Sequence, residues 1–199
     1  LASNCAFASA PDLGEFMTTN DACQIVSSDC VDGDFRPVAG SSLVDAGDNS
    51  VMETYADQMS CDLDGNSRVS NRTIDIGCYE YDWRPAYSAA LGATVTAASA
   101  GVKLVDGALE LLDGDVVSAA YAGPVGRTNR AFAQVADEGE LSVSLDGEPL
   151  ATVTAADARK EMKFRPAADV SQFDFAFAGD GAATVFPFAG PAGTLLFLR

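Results

Sequence analysis

Apolar positions in the second half of the chain recur with a period of two. Phe173, Phe175 and Phe177 alternate with Asp174 and Ala176, the pattern of a strand with one buried and one wet face. Residues 184–188 and 194–198 read as further strands. Apolar or alternating runs at 102–105 and 108–112 flank Asp106-Gly107, and runs at 141–145 and 148–154 flank Asp146-Gly147. Asp-Gly supplies the left-handed φ angles of a tight hairpin turn, so both sites predict hairpins. Further Asp-Gly pairs stand at Asp32, Asp64, Asp113 and Asp180. Short strands at this spacing, without amphipathic helices between them, predict an antiparallel, jelly-roll-like β-sandwich. Helix signals are confined to the capping-box spacings Ser50-x-x-Glu53 and Thr154-x-x-Asp157, each opening at most two turns.

The pattern before residue 85 is different. Apolar positions are sparse and turn residues dense: Asp12, Asn20-Asp21, Gly40-Ser41-Ser42, Gly47-Asp48-Asn49 and 62–66. Only short extended pieces, at 24–26, 42–44 and 73–76, lie between them. Such material makes a poor freestanding core. It suits the last coil and cap of a parallel solenoid, whose other coils bury its remaining face. Composition shifts at the same place. Residues 1–84 hold 15 acidic residues, 4 basic ones and all five cysteines, whereas residues 85–199 hold 14 acidic, 8 basic and no cysteine. Trp83-Arg84-Pro85 and the Ala/Ser-rich stretch 86–90 mark the seam. The expectation is an all-β chain of two domains, 1–84 and 85–199.

Composition narrows the chemistry. With 199 residues, 48% hydrophobic and 21% charged, the chain is globular rather than disordered. Histidine is absent, which removes Ser-His-Asp and Cys-His nucleophilic sites, imidazole metal ligands and imidazole proton shuttles. The net charge of -17 repels a phosphate backbone or an anionic membrane, and no run of about 20 apolar residues could span a bilayer. The reading is therefore no nucleic acid and no membrane insertion. Because the chain opens at Leu1 in mid-pattern, we expect a C-terminal piece of a longer protein with its export signal upstream.

Two ordered motifs carry a resemblance. Asp34-Phe35-Arg36 precedes Gly40-Ser41-Ser42-Leu43-Val44-Asp45-Ala46-Gly47-Asp48, and Cys61-Asp62-Leu63-Asp64-Gly65-Asn66-Ser67-Arg68 precedes Thr73-Ile74-Asp75-Ile76-Gly77-Cys78-Tyr79-Glu80. Together, over residues 30–82, they resemble the C-terminal end of bacterial right-handed parallel β-helix proteins of the pectate-lyase-like superfamily, which include large surface proteins. Ser42 replaces the usual proline and Cys78 the usual alanine. The resemblance implies secretion or surface display (an extracellular or cell-surface location) in a polysaccharide-rich setting. It implies no activity here, since catalytic groups of such proteins lie on coils upstream of the cap. In the motif itself, Asp45, Asp48 and Asp75 are of the type that accepts backbone N–H bonds in sharp turns, and Gly47 and Gly77 permit close packing.

Three signals point to chemistry. Asp62-x-Asp64-x-Asn66 has the oxygen spacing of a calcium loop, although Gly65 and Thr73 do not fit the EF-hand template; the other reading is an Asp-Gly turn. Beyond this calcium reading, the sequence suggests no cofactor. Without histidine, a glycosidase-type acid and base would have to be carboxylates, but 29 of them offer no basis for choosing two. Cys61 with Cys78, and Cys23 with Cys30, are spaced to close disulfides worth about 3 kcal/mol each in the chain-entropy model; reduced, buried thiols are the alternative. Cys5 is left over. Nucleotide motifs fail: the glycine pattern at Gly179 and Gly181 lacks its third glycine and precedes a strand.

A sugar platform needs flat exposed aromatics. After residue 85 only Tyr87 and Tyr121 are available, and the phenylalanines at 132, 164, 173, 175, 177, 186, 188 and 197 are assigned to core. Two function classes follow. One is a non-catalytic cap, spacer, adhesion or attachment module of a surface β-helix protein, with polysaccharide or cell-surface components as partners. The other is the accessory end of a polysaccharide lyase or glycoside hydrolase whose sandwich binds carbohydrate.

Overall fold

Alternation along the chain after residue 93 becomes two stacked sheets in the computed structural model, which describes residues 6–7, 24–25, 27–55 and 60–191. The chain divides into two units, Leu1–Asp82 and Trp83–Arg199. In the first, β1 (Ala6–Phe7) and β2 (Gln24–Ile25) form a short parallel pair. A 3-10 turn at Ser28–Cys30 and the six-residue helix α1 (Ser50–Tyr55) follow. The rest of its described residues form turns, bends and isolated bridges. The piece at 42–44 is a turn rather than an extended segment, and 73–76 contributes only the Ser70↔Thr73 bridge. These two segments interlock directly instead. Ile76 N–H donates to the Leu43 carbonyl at 2.9 Å and Gly47 N–H to the Ile74 carbonyl at 2.9 Å, which buries Leu43, Ile74 and Ile76 almost completely.

The second unit opens with a helix, α2 (Arg84–Leu91), where the sequence reading placed only a seam. Pro85 sits in its first turn, as the missing N–H there requires no partner, and Gly92 ends it with φ 68°. Small residues fill the exposed face, while Tyr87 and Leu91, one turn apart, are buried. Tyr87 stacks on Trp83, with centroids 6.1 Å apart, and its hydroxyl donates to the Val102 carbonyl at 2.9 Å. Ser88 Oγ accepts the Val95 N–H at 2.8 Å and so ties the helix to the first strand.

The strands are β3 (Thr94–Ala98), β4 (Lys103–Val105), β5 (Ala108–Leu111), β6 (Val116–Tyr121), β7 (Asn129–Ala136), β8 (Glu140–Leu145), β9 (Glu148–Thr154), β10 (Lys160–Phe164), β11 (Ser171–Ala178) and β12 (Ala182–Ala189). They form two antiparallel five-stranded sheets, ordered β10-β7-β12-β5-β4 and β3-β6-β11-β8-β9. Between β3 and β12, only the two predicted Asp-Gly hairpins stay within one sheet; every other connection crosses over. At both hairpins the Asp and the Gly take positive φ, 49° and 76° at Asp106-Gly107 and 51° and 83° at Asp146-Gly147, the twist that matches flanking strands. The Thr154–Asp157 signal closes a turn, not a helix: Asp157 Oδ2 accepts the Thr154 N–H, and Asp157 N–H returns to the Thr154 carbonyl.

Inward positions of both sheets make one core. On β11, Phe173, Phe175 and Phe177 face in, as the alternation predicts. Phe173 meets Tyr121, Phe164 and Phe188, with centroids as close as 4.7 Å for Phe164, and Phe175 meets Phe188; Phe177 joins the same buried cluster. The facing strand β7 offers Ala131, Ala133 and Val135, small residues that leave room for these rings. The strand predicted at 194–198 lies outside the described residues.

Candidate functional site

The polar residues that the sequence singles out gather in the first unit, around a very small apolar centre. Asp62, Arg68, Asn71, Asp75 and Glu80 are all buried there. Burying a charge is costly unless it is paired and hydrogen-bonded, so the partners decide what these groups do. Asp62 Oδ1 accepts the N–H groups of Asp64 at 2.9 Å and Asn66 at 2.8 Å, and its Oδ2 accepts the Glu80 N–H at 3.1 Å and the Asn66 amide at 3.3 Å. Burial raises its proton affinity, but the donors from Glu80, Asn66 and Asp64 together outweigh burial and hold the carboxyl below its ordinary value.

Asp75 also accepts backbone N–H groups. Its two oxygens accept the Asp45 N–H at 2.7 Å and the Tyr81 N–H at 2.6 Å. Its own N–H is shared between both oxygens of Glu80, at 3.3 and 3.0 Å. Arg68 Nη1 lies 2.9 Å from Glu80 Oε1, although that contact lacks hydrogen-bond geometry; Nη2 donates to the Asp75 carbonyl at 3.4 Å. Desolvation first, then the Asp75 charge, pushes Glu80 up to about 8 against the pull of Arg68. Asp75 is also raised, chiefly by burial. Asp45 takes an amide bond from Asn71 at 2.6 Å, and Asp48 Oδ1 accepts the Ser50 N–H at the start of α1.

The sequence motif hides a repetition. Asp32 Oδ1 accepts the N–H groups of Asp34 and Arg36, and Asp62 Oδ1 those of Asp64 and Asn66. Both loops close with an N–H from the aspartate to the carbonyl four residues on. Both are flanked by an antiparallel bridge, Val31↔Pro37 and Cys61↔Ser67. Position four is left-handed in each: Phe35 at φ 63° and Gly65 at φ 83°. A two-pronged ion pair joins them, Arg36 Nε and Nη2 donating to Asp64 at 2.9 Å each, while the guanidinium sits 4.8 Å from the Tyr79 ring centroid. The signal was present as Asp-x-Asp-x-Arg and Asp-x-Asp-x-Asn thirty positions apart.

The calcium-like triplet Asp62, Asp64 and Asn66 is therefore brought together, but with its carboxylate oxygens already engaged. Asp62 faces N–H donors and Asp64 faces Arg36. Among the described residues, no cluster of three or more carboxylate or thiol side chains is arranged to hold a metal ion. Cys30, Cys61 and Cys78 carry free thiols, the latter two exposed. The Cys61 and Cys78 segments run side by side, since the Leu63 N–H donates to the Cys78 carbonyl at 3.1 Å. Cys5 and Cys23 lie outside the described residues.

On the sandwich, two phenylalanines assigned to core are not in it. Phe132 and Phe186 are directly paired across β7 and β12 on the outer face, and both are only half-buried. Arg159 lies over both rings, 5.0 and 4.0 Å from their centroids. Parity gave the available signal: Phe132 shares its face with Arg130 and Gln134, and Phe186 with Thr184. Phe197 is outside the described residues.

No protein-family model and no curated protein matches the chain. Among solved structures, a family two carbohydrate esterase from Cellvibrio japonicus is similar at 15% identity over 50% of this chain and 33% of that one, with TM-score 0.37. The secreted serine protease VesC from Vibrio cholerae is similar at 9% identity over 55% and 27%, with TM-score 0.39. A mutant of the carbohydrate-binding module CBM29-2 is similar at 12% identity over 51% and 84%, with TM-score 0.34. The chain spans a third or less of the esterase and protease chains. At TM-scores this low, the likenesses carry no argument about fold or function.

Proposed function

We propose that the chain is a non-catalytic region of an extracellular or cell-surface protein, working as a structural cap, spacer or attachment module in a polysaccharide-rich setting. In this reading residues 1–84 are the terminal coil and cap of a right-handed parallel β-helix, and the jelly-roll-like sandwich follows it. One observation carries the reading: the buried carboxylates of the motif, Asp62, Asp75 and Glu80, all accept backbone N–H groups of their own unit. A catalytic acid or base must reach a substrate proton, and a calcium ligand must offer its oxygens to the ion. These groups instead hold turns in place. A calcium site at Asp62, Asp64 and Asn66 would require them to release the N–H donors and Arg36.

The test is Asp62→Ala. Leaving the Asp64, Asn66 and Glu80 N–H groups without their acceptor should cost about 2–4 kcal/mol, as for loss of a buried charged hydrogen-bond hub, read as an earlier thermal transition of the first unit. An unchanged transition would overturn the structural role.

The second reading is an accessory region of a polysaccharide lyase or glycoside hydrolase, with the sandwich holding carbohydrate. The outward Phe132, Phe186 and Arg159 group favours it, because that group serves no core.

A further inference from the structure

We propose that the outer face of the β10-β7-β12 sheet edge binds an acidic polysaccharide, one bearing spaced carboxylates such as a uronate polymer. The proposal rests on the polysaccharide setting argued above and gives it a site and a ligand charge.

Register puts the pieces together. Outward positions of β10 and its flanks read Arg159, Glu161, Lys163 and Arg165, since Met162 and Phe164 point into the core. Lys163 stands opposite Arg130 and Glu161 opposite Phe132. Arg165 lies on the same face, its Nε donating to Thr128 Oγ1 at 3.1 Å. Phe186 completes the row beside Phe132. With two residues per side-chain step, the cations run along about 20 Å of strand. The strip thus holds four cations and one carboxylate, in a chain that carries 29 acidic and 12 basic residues.

Acids are abundant, yet they do not neutralise this strip. Glu161 pairs with Arg130 at 3.0 Å. Arg159, Lys163 and Arg165 have no carboxylate within ion-pair distance among the described residues. Arg159 is also immobilised in a useful way. Its guanidinium carbon lies 5.0 and 4.0 Å from the centroids of two half-buried rings, a cation–π contact that restrains the side chain while the residue stays exposed. A planar fork held this way matches a carboxylate in two-pronged fashion with little entropy left to lose.

Charge density selects among polyanions. The strip is local and the whole chain is at -17, so duplex nucleic acid, with about one charge per 1.7 Å of axis on two strands, is repelled by the rest of the surface. A glycan with one carboxylate per sugar unit can place its charges on the strip alone. Its pyranose C–H faces can lie against the Phe132 and Phe186 edge beside Arg159. A membrane is disfavoured because the two half-buried rings offer no protruding apolar side chain to insert, and the net charge of -17 repels an anionic surface.

The experiment is affinity electrophoresis and calorimetry of the full chain with polygalacturonate, its methyl-esterified form, a cellulose oligosaccharide, duplex DNA and anionic vesicles. Expected is retardation by polygalacturonate alone, weakening with salt. Arg159→Ala and Lys163→Glu should each weaken binding roughly ten- to a hundredfold, the scale of one charge-assisted hydrogen bond. Lys103→Glu, on the far strand β4 of the same sheet, should leave it unchanged. Equal binding by all three variants would overturn the site. Preference for the esterified or neutral glycan would overturn the charge assignment while leaving a carbohydrate-binding sandwich standing. Binding only to DNA or vesicles, or self-association that competes with the glycan at low salt, would overturn the choice of ligand. No binding to any probe would overturn the proposal and leave the structural cap reading intact.

Discussion

Single residues in the first unit show how much a turn-built domain depends on backbone space and backbone donors. Gly65 occupies the left-handed position of its loop with nothing near a Cβ, whereas a Cβ at Gly47 would lie 2.6 Å from Ile74 Cγ1 and 2.8 Å from its carbonyl oxygen. Gly65→Ala should therefore cost only the conformational penalty, about 1 kcal/mol. Gly47→Ala must displace a buried backbone segment and should cost more, about 2 kcal/mol or above. Chemical denaturation of the two variants checks the order, which is the reverse of what φ alone would give. Glu80 sets a pH dependence. Below its ordinary value of 4.5 it is protonated in both folded and unfolded chains, and above about 8 it is ionised in both. Between these values only the folded chain holds the proton, so stability falls as pH rises from about 5 to about 8. Asp62 acts oppositely: its lowered value gives stability above the ordinary 3.8 that is lost as pH falls further. Thermal unfolding across pH 5–8 should show the downward slope in the native chain and a flatter line in Glu80→Gln. An equal slope in both would refute the assignment.

Secondary elements divide into those the sequence displayed and those it hid. The hairpins at Asp106-Gly107 and Asp146-Gly147 were legible because the turn demands a residue type. β11 was legible because one face of it is aromatic. Helix α2 was hidden: Ala/Ser-rich residues 86–90 resemble a linker, and two buried side chains, Tyr87 and Leu91, carry its whole apolar face. That economy makes it fragile. Leu91→Ala should lower sandwich stability by about 2–5 kcal/mol, measured by denaturant unfolding, because Leu91 is fully buried. A loss well under 1 kcal/mol would mean the helix is peripheral to the core. Phe132 and Phe186 were misplaced for a related reason. Composition says that phenylalanine belongs inside, but strand parity, set by Arg130 and Thr184, puts these two outside.

At the scale of the whole molecule, the two units are stabilised by different physics. The sandwich buries apolar side chains from both sheets in one cluster. The described part of the first unit buries three large aliphatics and five polar or charged side chains. The motif spacing predicted that aspartates would matter there, and their number accounts for much of the net charge. What spacing could not disclose is direction, since Asp62-x-Asp64-x-Asn66 serves an ion or a turn equally well until the donors around it are known. The parallel coil and cap remain part of the functional proposal, and the antiparallel sandwich is established by strand register. The clustered carboxylates of the first unit hold its turns. Calorimetric unfolding of the chain with and without millimolar calcium tests it most directly. The account predicts the same transition temperature in both, because the oxygens of Asp62 and Asp64 are already held by N–H donors and Arg36. A calcium-dependent rise that disappears in Asp62→Asn would contradict it.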